Sequence, residues 1–322
     1  MTTTMTLSWR SRLLIALAIG LLAGSLCYSY RITFGGGAGD IGMPLCMGRA
    51  LLNGTNPYVV CQGTHSDGIT PTTANPMTTA LVVLPLQPFP PSFAAALFFG
   101  LSTALLCFGL MRDGKTRLLV LLAYPYWQAL QVVQWSPLLF AVALFPWLLP
   151  LALAKPHIGA PVILTNLTLR RLLACAAFIG ISLIVDPLWP LRLLDRIGAP
   201  GDYRIPITVL PFGPILLLAL LRWRSPRARF LFLLALVPQR TFYDAFLLWL
   251  VPQTRRELLV LGLLSWITYY GWFFTGHSNM EWVLACLYLP ALIMVLRDSG
   301  RAEESPSILQ VSRIWPYKGK TQ

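Results

Sequence analysis

The sequence predicts an all-α fold, a polytopic membrane helical bundle of about eight full spans joined by re-entrant or interfacial half-helices. Three observations predict it. Apolar residues make up 56% of the 322-residue chain and charged residues only 11%, with a mean hydropathy of +0.65, more apolar surface than one soluble core of this length can hide. Most of the apolar residues fall in runs of about 20, the length that crosses a hydrocarbon core. The basic residues punctuate those runs at alternate connections, the positive-inside pattern of membrane proteins.

Full spans are expected near residues 12–30, 92–111, 117–134, 136–154, 172–190, 206–222, 257–275 and 281–297. The first follows Arg10 and Arg12 and lacks a small-x-small cleavage site, so it reads as a retained helix rather than a cleaved signal. Four pieces are too short to span: 77–89, 156–168, 229–238 and 242–253. Such pieces are tolerated where protein covers them or where they line a wet cavity.

The Arg-dense connections 112–116, 169–171, 222–228 and 254–256 and the tail from 298 read as cytoplasmic, with the N-terminus on the same side. The loop 31–77, the turn near 134 and the loops 191–205 and 276–280 are then external. Residues 1–297 form one transmembrane domain, and 298–322 form a basic cytoplasmic tail. A formal charge of +13 points to nucleic acid only when it clusters on a soluble face, and here it does not. Anionic headgroups and membrane lipids are its expected partners.

Among the six cysteines, Cys27, Cys107, Cys175 and Cys286 sit in apolar runs as small core residues. Cys46 and Cys61 share the external loop, where they either bridge or stay as two buried thiols. No His, Cys and carboxylate cluster has metal-ligand spacing, and no motif calls for a cofactor.

Asp40 follows the glycine-rich run 35–39 just beyond the first span. It reads either as a general base, a carboxylate able to take a proton from an attacking hydroxyl, or as the cap of the short helix that starts near Pro44. In that helix Arg49 either meets a phosphate or snorkels to headgroups. Gln128, Gln131 and Gln134, with Trp135, share a helix face near the outer surface and suit either a sugar-binding rim or an interfacial belt. Lys155 ends an apolar run at the expected inner side. Arg240 and Asp244, four residues apart at membrane depth, either pair with each other or serve a ligand, Arg240 as a phosphate ligand. His277 is external and could orient an acceptor.

Asp40 with the stretch Gly48-Arg49-Ala50-Leu51-Leu52-Asn53-Gly54-Thr55-Asn56-Pro57-Tyr58 resembles the Asp…Ala-x-x-Leu-x-x-Gly-x-x-Pro-Tyr pattern of the GT-C membrane glycosyltransferases. It is most similar to glycosyltransferase family 87, whose members are polyprenol-phosphate-mannose-dependent mannosyltransferases. Asn75-Pro76-Met77 with Leu84-Pro85-Leu86 is similar to that family's Pro-Pro…Pro-Leu segment, Gln134-Trp135-Ser136 to its Gly-Gln-x-Asn turn, and Ala154-Lys155-Pro156 to its Lys-Pro. The chain departs from the pattern at Val133, where the family has Gly, at Ser136, where it has Asn, and at Met77, where it has a second Pro.

The resemblance implies a metal-independent, inverting transfer of a sugar, mannose favoured, from a polyprenyl-phosphate donor to a glycolipid or glycan acceptor. The transfer would occur at the external face of the plasma membrane with Asp40 as base. On the chemistry of the side chains, Arg49, Arg240 and Lys155 are the candidates for the donor phosphate. Gln131, Gln134, Trp135, Tyr58, His277 and Asp244 are the candidates for sugar and acceptor. Two other classes stay open: a transporter or flippase of lipid-linked saccharides, and a catalytically silent partner in polysaccharide assembly.

Overall fold

The computed structural model describes residues 7–61, 75–195, 203–240, 242–276 and 279–297. His277 and the tail 298–322 lie outside them. Among the described residues every element is helical, apart from a single bridge pairing Arg204 with Gln239.

In chain order the helices are α1 (Trp9–Phe34), α2 (Gly42–Leu52), α3 (Pro57–Val60), α4 (Met77–Val83), α5 (Pro91–Leu110), α6 (Tyr124–Val132) and α7 (Ser136–Leu144). They continue as α8 (Pro156–Asn166), α9 (Leu169–Val185), α10 (Trp189–Leu194), α11 (Pro226–Ala235), α12 (Arg255–Thr275), α13 (Asn279–Val283) and α14 (Leu289–Arg297). Tighter 3-10 segments at Lys115–Leu122, Pro146–Ala154, Gly213–Arg222 and Asp244–Leu250 stand between them.

Four helical stretches are long and apolar enough to cross a membrane: Trp9–Phe34, Pro91–Asp113, Arg255–Thr275 and Met280–Arg297. They coincide with the expected spans near 12–30, 92–111, 257–275 and 281–297. The other expected spans are shorter or broken. The run 117–134 breaks at Ala123, which is extended and caps the start of α6, with Pro125 in that helix's first turn, where a proline is tolerated because no N–H is needed there. The run 136–154 breaks at Phe145 ahead of Pro146, the run 172–190 yields the 17-residue α9, and the run 206–222 yields only the 3-10 segment from Gly213.

The long helices α1 and α5 meet through small residues. A Cβ on Gly20 would lie 2.6 Å from Ala104 Cβ, and one on Gly100 would lie 2.8 Å from the Gly20 carbonyl. Backbones this close are the usual solution where helices must associate by packing rather than by exclusion of water.

The bundle has two chemically distinct ends. At one, Arg12 lies over the Phe108 ring at 5.2 Å, Arg112 donates to the Leu144 carbonyl at 3.3 Å, and Arg227 donates to Val251 O at 2.6 Å and faces Glu257 at 3.7 Å. A capping box of Thr254 and Glu257 starts α12 beside them. Asp40 occupies the other end. From Gln134, α7 descends to Leu144 at the arginine end, and Pro146–Ala154 climbs back to Lys155. Lys155 therefore belongs to the Asp40 end, which corrects the expected inner position: what reads as one crossing is a hairpin of two half-length passes. Residues 226–240 and 242–251 form a second such hairpin, rising along α11 to Arg240 and returning through Asp244–Leu250. All nine residues of α7 and all seven of Asp244–Leu250 are buried, which shields short passes of about 14 Å that could not cross about 30 Å of hydrocarbon alone.

Candidate active site

Asp40 sits in a 3-10 turn at Gly39–Ile41 directly before α2. Its side chain does not cap α2, which sets aside the capping alternative. Instead Oδ2 accepts from Gln134 Nε2, and Lys155 Nζ lies 3.8 Å away. Gln134 Oε1 accepts in turn from Lys155 Nζ and from the Trp135 backbone N–H at 3.0 Å. The fully buried amide thus joins the anion to the cation.

Each partner is held from outside. Arg31, at the end of α1, donates to the carbonyls of Gly36, Gly37 and Gln131 and so ties the glycine run to the end of α6. Gly39 lies against that same turn: a Cβ there would lie 2.6 Å from Val132 O. The turn itself is made by Val133, which is left-handed at φ 58° and ends α6. Gln134 therefore leaves the helix face it was expected to share with Gln128 and Gln131 and points inward. On the other flank Thr78 and Thr79 of α4 donate to the carbonyls of Leu153 and Ala154 at 2.7 and 2.8 Å, fixing the chain immediately before Lys155.

Beyond Lys155 lies a second group. The ammonium is 5.8 Å from the Tyr243 ring centre. Arg240 lies over the Tyr203 ring at 4.9 Å, and His157 meets the same ring edge-on at 5.5 Å. The Arg204–Gln239 bridge sets this register, since it makes Tyr203 and Arg240 neighbours across two strands of loop. Tyr288 clamps the Gln239 side chain from a π turn at Leu284–Tyr288, a turn consistent with Pro290, which has no N–H for the regular ladder.

Arg240 and Asp244 do not form the side-chain ion pair that their spacing allowed. Asp244 accepts from the Arg240 backbone N–H at 2.8 Å. Burial pushes its carboxyl up to about 6 against the opposing pull of Lys155. Burial also pushes His157 down to about 3, helped by Lys155 and Arg240.

On its exposed side Asp40 opens into a cleft of about 400 Å³ lined also by Arg31, Leu45, Arg49, Gln87 and Phe89. Gly48 lets Gln87 pack onto α2, where Gln87 donates to Leu45 O at 2.8 Å. Arg49 is exposed in this cleft. The ion pairs among the described residues are Asp40–Lys155, Asp186–Arg192 and Arg227–Glu257, so none of the described carboxylates engages Arg49. A disulfide joins Cys46, which lines the cleft, to Cys61, with Cα atoms 5.8 Å apart, and ties α3 to α2.

The structure thus gathers Asp40, Gln134, Lys155, Arg240 and Asp244 and leaves Arg49 across the cleft. Trp135 is core rather than rim, buried against Phe98 at 4.8 Å. Tyr58 donates to Asn75 O at 2.9 Å and is buried beneath the disulfide-linked cap, and Gln131 meets the site through its carbonyl. Among the described residues no group of three His, Cys, Asp or Glu side chains could hold a metal. Tyr203, His157, Thr78, Thr79 and Arg31 were not among the expected site residues. No family model, curated protein or solved structure matches the chain.

Proposed function

We propose that this chain is an integral-membrane glycosyltransferase in which Asp40 is the general base. An acceptor hydroxyl entering the cleft attacks the anomeric carbon of a polyprenyl-phosphate sugar. Its proton passes to Asp40, the anomeric C–O bond to phosphate breaks, and the electron pair leaves with the phosphate. Arg49, exposed in the cleft, is the cation for the departing phosphate. Lys155 is committed to Gln134 and Asp40, so its part is to position the base.

One observation carries the reading: a carboxylate held between a buried amide and an ammonium opens into a cleft that also carries an exposed arginine, Arg49, which none of the described carboxylates engages. A buried ion pair serving stability alone has no need to face a cleft. The half-length hairpins that build the site end at its level, as membrane enzymes and transporters both require of irregular backbone.

Transfer of radiolabel from a panel of polyprenyl-phosphate sugars, in membranes holding equal amounts of wild-type protein or Asp40→Asn, tests it. The substitution is expected to lower transfer by roughly 100- to 10,000-fold. Equal transfer by both proteins would remove Asp40 from the mechanism. Absence of transfer by the wild type from every donor would favour a transporter or silent partner.

A further inference from the structure

Three side chains beyond Lys155 carry buried polar atoms that make no hydrogen bond: Arg240 Nε, Asp244 Oδ1 and His157 Nε2. Leaving such atoms unpaired is expensive, and each one calls for an explanation, a role in binding or catalysis among them. Their chemistry restricts that ligand. Arg240 Nε can only donate and Asp244 Oδ1, ionised, can only accept. A phosphate, which offers acceptors alone, would satisfy the guanidinium but repel the carboxylate. A hydroxyl both donates and accepts, so a group bearing several hydroxyls on a ring can satisfy all of these atoms together.

The surroundings agree with this restriction. Tyr203 fixes the plane of Arg240, His157 stands against the edge of the same ring, and Asp244 is held by the Arg240 backbone N–H so that its second oxygen is left over. We infer that Arg240, Asp244, His157 and Tyr203 form a subsite for a sugar ring, next to Asp40 but apart from the cleft of Arg49, in which Arg240 answers a hydroxyl rather than a phosphate. The inference rests on the glycosyl-transfer reading for its assignment of the two subsites to the two parts of one donor. The sugar is read at the Arg240 side and the phosphate at Arg49.

The test is binding to the purified full chain in detergent, followed by tryptophan fluorescence. Three probes are used: a short prenyl phosphate bearing a mannosyl group, the same lipid bearing a glucosyl group, and the bare prenyl phosphate. Wild type should bind at least one glycosylated probe roughly tenfold more tightly than the bare lipid, the worth of one charge-assisted hydrogen bond. Asp244→Asn keeps the bond from the Arg240 N–H through its amide oxygen and turns an N–H₂ donor toward the subsite. It should erase the preference while leaving affinity for the bare lipid unchanged. Arg49→Ala should weaken all three probes alike, and Tyr203→Phe, which keeps the ring under Arg240, should retain the preference.

If Asp244→Asn does not fold, Arg240→Gln reads the same preference from the donor side. The subsite is overturned if wild type shows no preference, if Asp244→Asn retains it, or if the variant weakens all probes alike. The radiolabel assay separates this failure from that of the wider reading. A preference that depends on Asp244 without any transfer keeps the subsite and sinks the transfer reading, and Asp40-dependent transfer without such a preference does the reverse.

Discussion

Lys155 Nζ stands 3.8 Å from Asp40 Oδ2, and the Gln134 amide bridges the two with its N–H₂ toward the carboxylate and its oxygen toward the ammonium. The charges force that orientation, because a flipped amide would set oxygen against oxygen and donor against donor. Gln134→Leu keeps the approximate volume and removes both bonds. It is expected to cost about 1–3 kcal/mol in thermal or denaturant unfolding and to lower transfer. Gln134→Glu, which turns an anion toward Asp40, should also lower transfer. A Gln134→Leu protein as stable and as active as wild type would show that the bridge positions nothing.

The residue before Gln134 is held in a conformation that disfavours it. Val133 has φ 58° and is fully buried; a β-branched residue in the left-handed region costs about 1–2 kcal/mol relative to glycine. Val133→Gly relieves that strain while losing buried methyl groups, and the two effects nearly offset. Val142, fully buried in regular helix α7, has no strain to relieve. Val142→Gly should therefore cost about 3 kcal/mol from packing and helix propensity together, whereas Val133→Gly should cost about 1 kcal/mol or less. Equal losses in a denaturation series would mean that the left-handed turn stores no strain. Phe242, also left-handed at φ 61°, comes two residues before Asp244, so both strained non-glycine positions among the described residues adjoin the site, where such strain is commonly found.

His157 and Asp244 predict opposite dependences of stability on pH. The imidazole is depressed to about 3 by burial and by Lys155 and Arg240, so between about pH 3 and 6.5 the unfolded chain binds the extra proton and stability rises with pH. The Asp244 carboxyl is raised by burial to about 6, so between about pH 4 and 6 the folded chain binds the extra proton and stability falls as pH rises. In wild type the slopes work against each other. Asp244→Asn should leave a net rise in stability from pH 4 to 6, and His157→Gln a net fall, both read from unfolding midpoints across that range. Slopes of the same sign in the two variants would contradict the assignment.

Asp40, Gln134, Lys155, Arg240 and Asp244 were legible because a polar residue in a chain this apolar is conspicuous wherever it falls. Their mutual arrangement was not. The sequence puts Lys155 at the opposite end because 136–154 has the length and hydropathy of one crossing, and only the break at Phe145-Pro146 turns it into a hairpin. Prolines were visible there, yet prolines also occur within unbroken membrane helices, so the pattern does not decide. Helical spacing groups Gln134 with Gln131 because it continues through a valine, and nothing in a β-branched residue announces a left-handed turn. Tyr203 gave no signal, since its position depends on the bridge between Arg204 and Gln239. Trp135 and Tyr58 misled in the other direction: aromatic residues near an outer surface suit a sugar rim, and here packing claims both.

The Cys46–Cys61 disulfide gives the cleft a covalent dependence. Cys46 lines the cleft on α2, and the bond anchors the single turn α3, with its buried Tyr58 and Cys61, onto Met43, Met47 and Ala50. A four-residue helix has little stability of its own, so the placement of α3 on α2 depends on this crosslink. Closing a loop of 15 residues is worth about 3 kcal/mol by restricting the unfolded chain. Of the six cysteines in the sequence, the four others, Cys27, Cys107, Cys175 and Cys286, are free. Protein isolated without reductant and unfolded in detergent should therefore take up maleimide at those four alone, and at all six after reduction. Reduction, or the double substitution of Cys46 and Cys61 to serine, should lower the unfolding midpoint and weaken binding of a bare prenyl phosphate in the cleft beside Arg49. Labelling of all six cysteines before reduction, in protein recovered from an oxidising compartment, would show that α3 is held on α2 by packing and not by the bond.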